Sequence, residues 1–401
     1  MLQLCCHSLA DCPLVRSGRH VARPSIDACK GQVPSTLVVL ARAIGLIVLG
    51  LGALIWLIPA APMTGDGQHY IEFVRNNLQH GASSWHERRL LGPLIVRALP
   101  LDAQDGFFVL TTVSLALTAL LTWLAARELL SDEWRALAAI PLLCGTWVVA
   151  PNLREFGLVD PLAWVLVASV WWATVRRQWW LAAALAAVGV VAKEIVVLAA
   201  VAAAAAAWQP RRPWVALGVA APALLVAVLL TVLVPGSGTD AGAYLLKWVR
   251  DGLFSNGVPR AVYLFAASYG ALWLLVPRAW PSFPADLRRA VAVYLLAAPA
   301  LPLVGSPERM EEAIFPALIA AALLATRTWH TALVWALALG EALFAARVGG
   351  DARLPTLLAW SGLAAACALV VWSYVRGDHR LAGPPESVAA VNLDHHLSRE
   401  H

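Results

Sequence analysis

Residues 179–208 read WWLAAALAAVGVVAKEIVVLAAVAAAAAAW, two apolar runs that meet at Lys193-Glu194. Taken as one helix, the stretch would leave Arg176/Arg177 and Arg211/Arg212 on opposite sides of a membrane. Cytoplasmic loops carry an excess of Arg and Lys, which argues against that arrangement. Two arms of roughly 14 residues keep both pairs inside, and at 1.5 Å per residue each reaches about 21 Å, short of the roughly 30 Å of hydrocarbon. The segment is therefore predicted to be a short helical hairpin. Its charged tip is expected toward the outer face, lining protein rather than lipid.

Outward from the hairpin, the chain keeps the same character. Of 401 residues, 60% are hydrophobic and 14% charged, with a mean hydropathy of +0.69, which excludes an ordinary soluble domain. Apolar windows recur from Leu37 to Tyr374 without strand alternation, and lipid forces backbone groups to bond internally. The expected fold is an all-α polytopic membrane protein. Its spans fall at about 37–59, 106–126, 136–150, 157–175, 179–192, 195–208, 213–234, 259–276, 290–304, 313–326, 329–346 and 354–375, about twelve in all. A cytoplasmic tail (1–36), a transmembrane domain (37–376) and a polar cytoplasmic tail (377–401) follow from these limits.

The net charge of +5 belongs to short loops and the N-terminal tail, with no basic segment interleaved with aromatics, so nucleic acid is not an expected partner. Arg16, Arg19, Arg23 and Lys30 place the N-terminus inside. The layout is not that of a cleavable signal peptide, so the first span is expected to stay as an anchor. Threading from there puts Arg127/Arg135, Arg176/Arg177, Arg211/Arg212, Arg278/Arg288/Arg289, Arg327 and Arg376/Arg380 inside. Cys5, Cys6, Cys12 and Cys29 lie in the tail and Cys144 and Cys367 within spans, in no zinc-binding spacing.

The first outer loop, about 60–105, has structure of its own. Thr64 or Asp66 can cap an amphipathic helix carrying Tyr70, Ile71, Phe73, Val74 and Leu78, stopped by Gly81 and lying on the membrane. A second short helix has Ser84 and Glu87 at capping-box spacing and Pro93 near its middle or at a break. The loop from Pro235 to Arg260 is also expected outside. The outer face then collects Asp66, His69, Arg88, Arg89, Asn152, Arg154, Glu155, Asp160, Lys193, Glu194, Glu308 and Arg309. Carboxylates that can take a proton, beside cations that can hold an anion, suit acid/base chemistry on a phosphate-bearing substrate.

This arrangement resembles the GT-C superfamily of polytopic glycosyltransferases, which take sugars from polyprenyl-phosphate carriers on the outer side of the membrane. The resemblance covers most of the chain on short motifs: Asp66 with the segment Gln68 to Leu78, Arg89-Leu90-Leu91-Gly92-Pro93 before the second span, the Lys193-Glu194 tip, and Pro307-Glu308-Arg309 followed by Phe315-Pro316. It implies that Asp66 is the base acting on an acceptor hydroxyl. By the same resemblance Arg88, Arg89, Lys193 or Arg309 would stabilise the departing lipid phosphate. The implied partners are a polyprenyl-phosphate-linked sugar, an outer-side glycan, lipid or protein acceptor, and membrane lipids. Many members carry paired acids in the first loop, whereas glycines flank Asp66 here. No cofactor is expected, and a divalent metal has no motif to support it.

Each residue also has a plainer reading. Asp66 can be a helix cap, His69 a packing residue, and Arg88 and Arg89 contacts to lipid headgroups. Arg154-Glu155 and Lys193-Glu194 can be self-neutralising pairs. Asp160-Pro161 fits the start of a helix, and Glu311 and Glu312 read as solvated. Trp171/Trp172 and Trp179/Trp180 mark membrane interfaces. The rival functions are a transporter or flippase of a lipid-linked or anionic substrate, and a non-catalytic relative. Transporters place binding groups near the midplane of repeated halves, and here no repeat is visible and the charges gather at one face.

Overall fold

The structure is a computed structural model, and it describes residues 34–58, 60, 65–79, 88–234, 266, 268–299, 301, 312–326, 331–348 and 355–375. Within them the chain is helical and contains no strand. It divides into two units, 1–42 and 43–401. The described part of the first is the opening of helix α1 (Pro34–Leu57), and the site described below lies wholly in the second.

Two short helices precede the first long one of the second unit. Helix α2 (Asp66–Arg75) and α3 (Leu91–Ala98) both pack on α4 (Ala103–Leu129). Gly65, at φ +57°, makes the turn into α2 without strain because it lacks a Cβ. The helix ends sooner than Gly81 would suggest. Asn77 adopts a left-handed conformation, its N–H reaches Val74 O at 3.1 Å, and the Leu78 N–H reaches Phe73 O at 2.8 Å, the bond pattern of a Schellman stop. The apolar face of α2 meets protein rather than open membrane: Tyr70, Ile71 and Val74 are buried with Val96, Phe107, Leu110, Phe156 and Val159. Burying side chains of this size contributes about 1.5–3 kcal/mol each. Pro93 sits in the first turn of α3, where its missing N–H costs little; Ser84 and Glu87 lie outside the described residues.

The expected span 136–150 is broken into α5 (Glu133–Leu137), α6 (Ala139–Cys144) and α7 (Ala150–Arg154). Gly145 follows the second piece, and a Cβ there would stand 3.0 Å from Ala338 O and Ala342 N on a crossing helix. Next come α8 (Asp160–Val175), α9 (Trp179–Ala192), α10 (Val196–Ala207) and α11 (Pro213–Leu233). Helices α9 and α10 form the expected hairpin, packed against each other and against α8 and α11. Its arms approach closely at Gly189, where a Cβ would meet Val196 Cγ1 at 2.5 Å.

Further along lie the 3-10 turn Gly270–Leu275, α12 (Val276–Ala279) and α13 (Ala285–Ala297), which packs on α10. The 3-10 turn Glu312–Ile314 then leads into α14 (Phe315–Ala325), followed by the packed pair α15 (Thr331–Val348) and α16 (Thr356–Val375). Among the described residues four helices are long and apolar enough to cross a membrane: Leu37–Leu57 within α1, α4, α11 and α16. Helices α8, α9, α10, Glu312–Ala325 and Leu333–Ala346 are apolar but shorter.

Candidate functional site

Three separate pieces of chain meet around the hairpin tip. Lys193 breaks the helical ladder, with φ −164° and ψ 135°, so that α9 ends and its side chain is released from the helix surface. That side chain is 1% exposed and forms an ion pair with Asp160, also 1% exposed, at the head of α8. The Lys193 ammonium also lies 5.3 Å from the centre of the Trp164 ring, one helical turn beyond Asp160. Asp160 is the first residue of α8 rather than its cap, and Pro161 fills the first turn.

Glu194 turns to a different partner. Arg89, in the stretch just before α3, grips its carboxylate with Nε at 3.0 Å from Oε2 and with Nη2 on Oε1. The third Arg89 bond runs from Nη1 to the Tyr70 hydroxyl of α2 at 3.2 Å. Adjacent Lys193 and Glu194 therefore do not neutralise each other as a private pair, because each is aimed at another element. Burial would push the Glu194 carboxyl up, but Arg89 and then Lys193 outweigh it and hold it at about 2. Arg89 is raised: burial works against its charge, and the Glu194 carboxylate more than offsets this. Burial pushes the Tyr70 phenol up despite the guanidinium beside it.

Buried pairs of this kind add little net stability over an apolar replacement. In the Lys193–Asp160 pair, where both side chains are 1% exposed, removing one partner strands the other at a cost of about 3–5 kcal/mol. Their effect is to fix relative position: Arg89 and Tyr70 tie the first loop to the hairpin tip, and Lys193 ties the tip to α8.

Asp66 is half-buried in the first turn of α2, one turn before Tyr70, and Gly65 rather than Asp66 takes the capping position. His69 is half-buried on the same helix. Arg88 donates from Nε to Val234 O at 3.3 Å, at the end of α11. Arg154 is exposed and Glu155 half-buried at the end of α7. Arg309, with Glu308 and Glu311, lies outside the described residues.

Sequence reasoning missed several members. Tyr70 reads as one more apolar-face residue, since nothing in a 3.6-residue period distinguishes a hydroxyl that finds a guanidinium. Glu312 is 1% exposed rather than solvated, and it receives Asn152 Nδ2 at 3.0 Å. Trp164 reads as core, and its place under Lys193 depends on the hairpin's docking. Among the described residues, no group of three or more His, Cys, Asp or Glu could hold a metal ion.

Comparison with protein-family models, curated proteins and solved structures finds no match to this chain. Fold and site together define a helical protein with four helices, among the described residues, able by length and composition to cross a membrane. Tyr70 and Arg89, the head of α8 and the hairpin tip are joined there by paired charges and a hydrogen bond.

Proposed function

We propose that the chain is a multi-pass membrane glycosyltransferase of the GT-C type, moving a sugar from a polyprenyl-phosphate carrier to a hydroxyl on an outer-side glycan, lipid or protein. The observation that carries this reading is the convergence of Tyr70, Arg89, Glu194, Lys193 and Asp160, from three distant stretches of chain, at one end of the bundle. Asp66, one turn from Tyr70, is the base. It takes the proton of the acceptor hydroxyl as that oxygen bonds to the anomeric carbon, and the bond from that carbon to the phosphate oxygen breaks, leaving its electron pair on the lipid phosphate.

A guanidinium carries five N–H donors, and the bonds to Glu194 and Tyr70 use three of Arg89's. The others are available to a phosphate oxygen, with Glu194 holding the guanidinium in orientation. Arg88, His69, Lys193, Arg154, Glu155 and Arg309 complete the substrate-binding face in this reading. The mutual cancellation of Arg89 with Glu194 and of Lys193 with Asp160 favours a second reading, a non-catalytic relative that keeps the scaffold.

Transfer of radiolabelled sugar from a panel of polyprenyl-phosphate donors, in membranes holding wild type or Asp66→Asn at matched expression, separates the two. The enzyme reading predicts transfer that falls at least about 100-fold in the variant, the scale of a lost general base. Transfer equal in both removes Asp66 from the mechanism. No transfer by the wild type from any donor favours the non-catalytic reading or the transporter.

A further inference from the structure

A second buried polar group lies around Asn152, formed by residues that the paired charges do not use. Its contacts run in a ring. The Trp147 backbone N–H donates to Ser268 O at 3.3 Å, the next residue's hydroxyl, Tyr269 Oη, donates to Glu312 O at 2.9 Å, and Asn152 Nδ2 donates to Glu312 Oε2 at 3.0 Å and to Val148 O at 2.8 Å. Asn152, Tyr269 and Glu312 are each 1% exposed, and Trp147 is 7% exposed.

The two bonds from Nδ2 use both of its hydrogens and so fix which way the amide faces. Oδ1 is thereby turned away from both acceptors, and it is buried without a hydrogen-bond partner among the described residues. The indole Nε1 of Trp147 is likewise a buried donor without a partner among those residues. Burying an unmet polar atom costs about 1–3 kcal/mol, and native structures rarely tolerate it without a reason. Here the acceptor cannot rotate to relieve itself, and Trp147, whose backbone N–H joins the same ring of contacts, carries an open donor on its side chain.

A hydroxyl both donates and accepts, and an indole beside it offers the apolar face that a sugar ring presents its C–H groups to. We propose that Trp147 and Asn152 form a subsite for a hydroxyl-rich headgroup, Asn152 Oδ1 accepting from a sugar hydroxyl and Trp147 Nε1 donating to one. Glu312 and Tyr269 are positioning residues that hold the Asn152 amide and the 312–314 turn. This turn packs on α10, the arm of the hairpin that begins just after Lys193-Glu194. The assignment of the headgroup to the transferred sugar rests on the glycosyltransferase reading, whereas sugar binding itself does not.

The test is equilibrium dialysis of radiolabelled octyl glucoside, below its micellar concentration, against the full chain in a detergent without a sugar headgroup. Octyl tetraoxyethylene, with the same alkyl chain and no sugar, serves as competitor. Saturable binding that the competitor does not displace is expected, weakened about tenfold in Asn152→Leu and about threefold in Trp147→Phe, which removes only the N–H. Asp66→Asn should bind the glucoside as the wild type does while losing transfer. Binding lost in the two subsite variants, with no transfer by the wild type, supports the subsite and sinks the transferase. Glucoside binding that is absent, or unchanged in Trp147→Phe, leaves a buried water as the partner of Asn152 and overturns the subsite. The mild Trp147→Phe change decides the matter even if Asn152→Leu fails to fold.

Discussion

Arg89 and Glu194 alter each other's chemistry in the fold, and pH reads that alteration out. The Glu194 carboxyl sits at about 2 in the fold against an ordinary 4.5. A depressed acid stabilises the fold in full above its unfolded value, and the contribution falls away as pH drops through the interval between 4.5 and about 2. The melting temperature of wild type minus that of Glu194→Gln in detergent should therefore be constant from pH 8 to about 5 and shrink steadily below. The Glu194 side chain is 42% exposed, so solvent screening makes this difference smaller than the shift alone implies. A difference that grows on acidification would mean that Arg89 does not hold the charged form. Sequence placed Lys193 and Glu194 together at a tip but could not assign their partners, because neighbouring side chains at such a break point in different directions.

At the scale of the element, the hairpin is the feature whose reading and structure agree most closely. Helix α9 ends at Ala192 and α10 begins at Val196, because a charge pair inside an apolar run is most cheaply placed at a break. What joins the arms is Gly189, whose added Cβ would stand 2.5 Å from Val196 Cγ1 and 3.2 Å from Leu166 Cβ. Gly189→Ala should cost about 1–3 kcal/mol in chemical unfolding, the scale of overpacking. Adding Val196→Ala should recover part of that loss; an unchanged unfolding midpoint in the single variant would mean that the arms are not pressed together there. The segment 136–150 was less legible. Its composition suits a span, but Pro141, Gly145 and Pro151 interrupt it, and Gly145 admits the backbone of α15.

Over the whole molecule, three of the arginines expected inside, Arg127, Arg177 and Arg289, lie at helix ends remote from the tip. Arg289 donates to Ala205 O, Ala206 O and Trp208 O, where α10 ends, and Arg177 pairs with Asp286 at 2.8 Å where α8 ends. Arg127 pairs with Glu133 at 3.0 Å at the end of α4. Cations at helix C-termini satisfy the last carbonyls and oppose the helix dipole. The orientation proposed for the chain puts this end in the cytoplasm. Single cysteines at Gln68 and Gln209, in a background lacking the native ones, test it with a membrane-impermeant maleimide. Gln68→Cys should label in intact cells and Gln209→Cys only after lysis, and the reverse pattern would overturn the orientation.

Apolar run length, local periodicity and the cost of charge in lipid are enough to dictate the helical class, the hairpin and the segregation of charge to helix ends. That Arg89 meets Glu194 and Tyr70, that Lys193 meets Asp160 over Trp164, and that Asn152 meets Glu312 comes from the packing of the folded chain. Those contacts join residues up to 160 positions apart. Their specificity resides in how helices dock, through close approaches such as Gly145 and Gly189, and a one-dimensional pattern carries no record of that geometry.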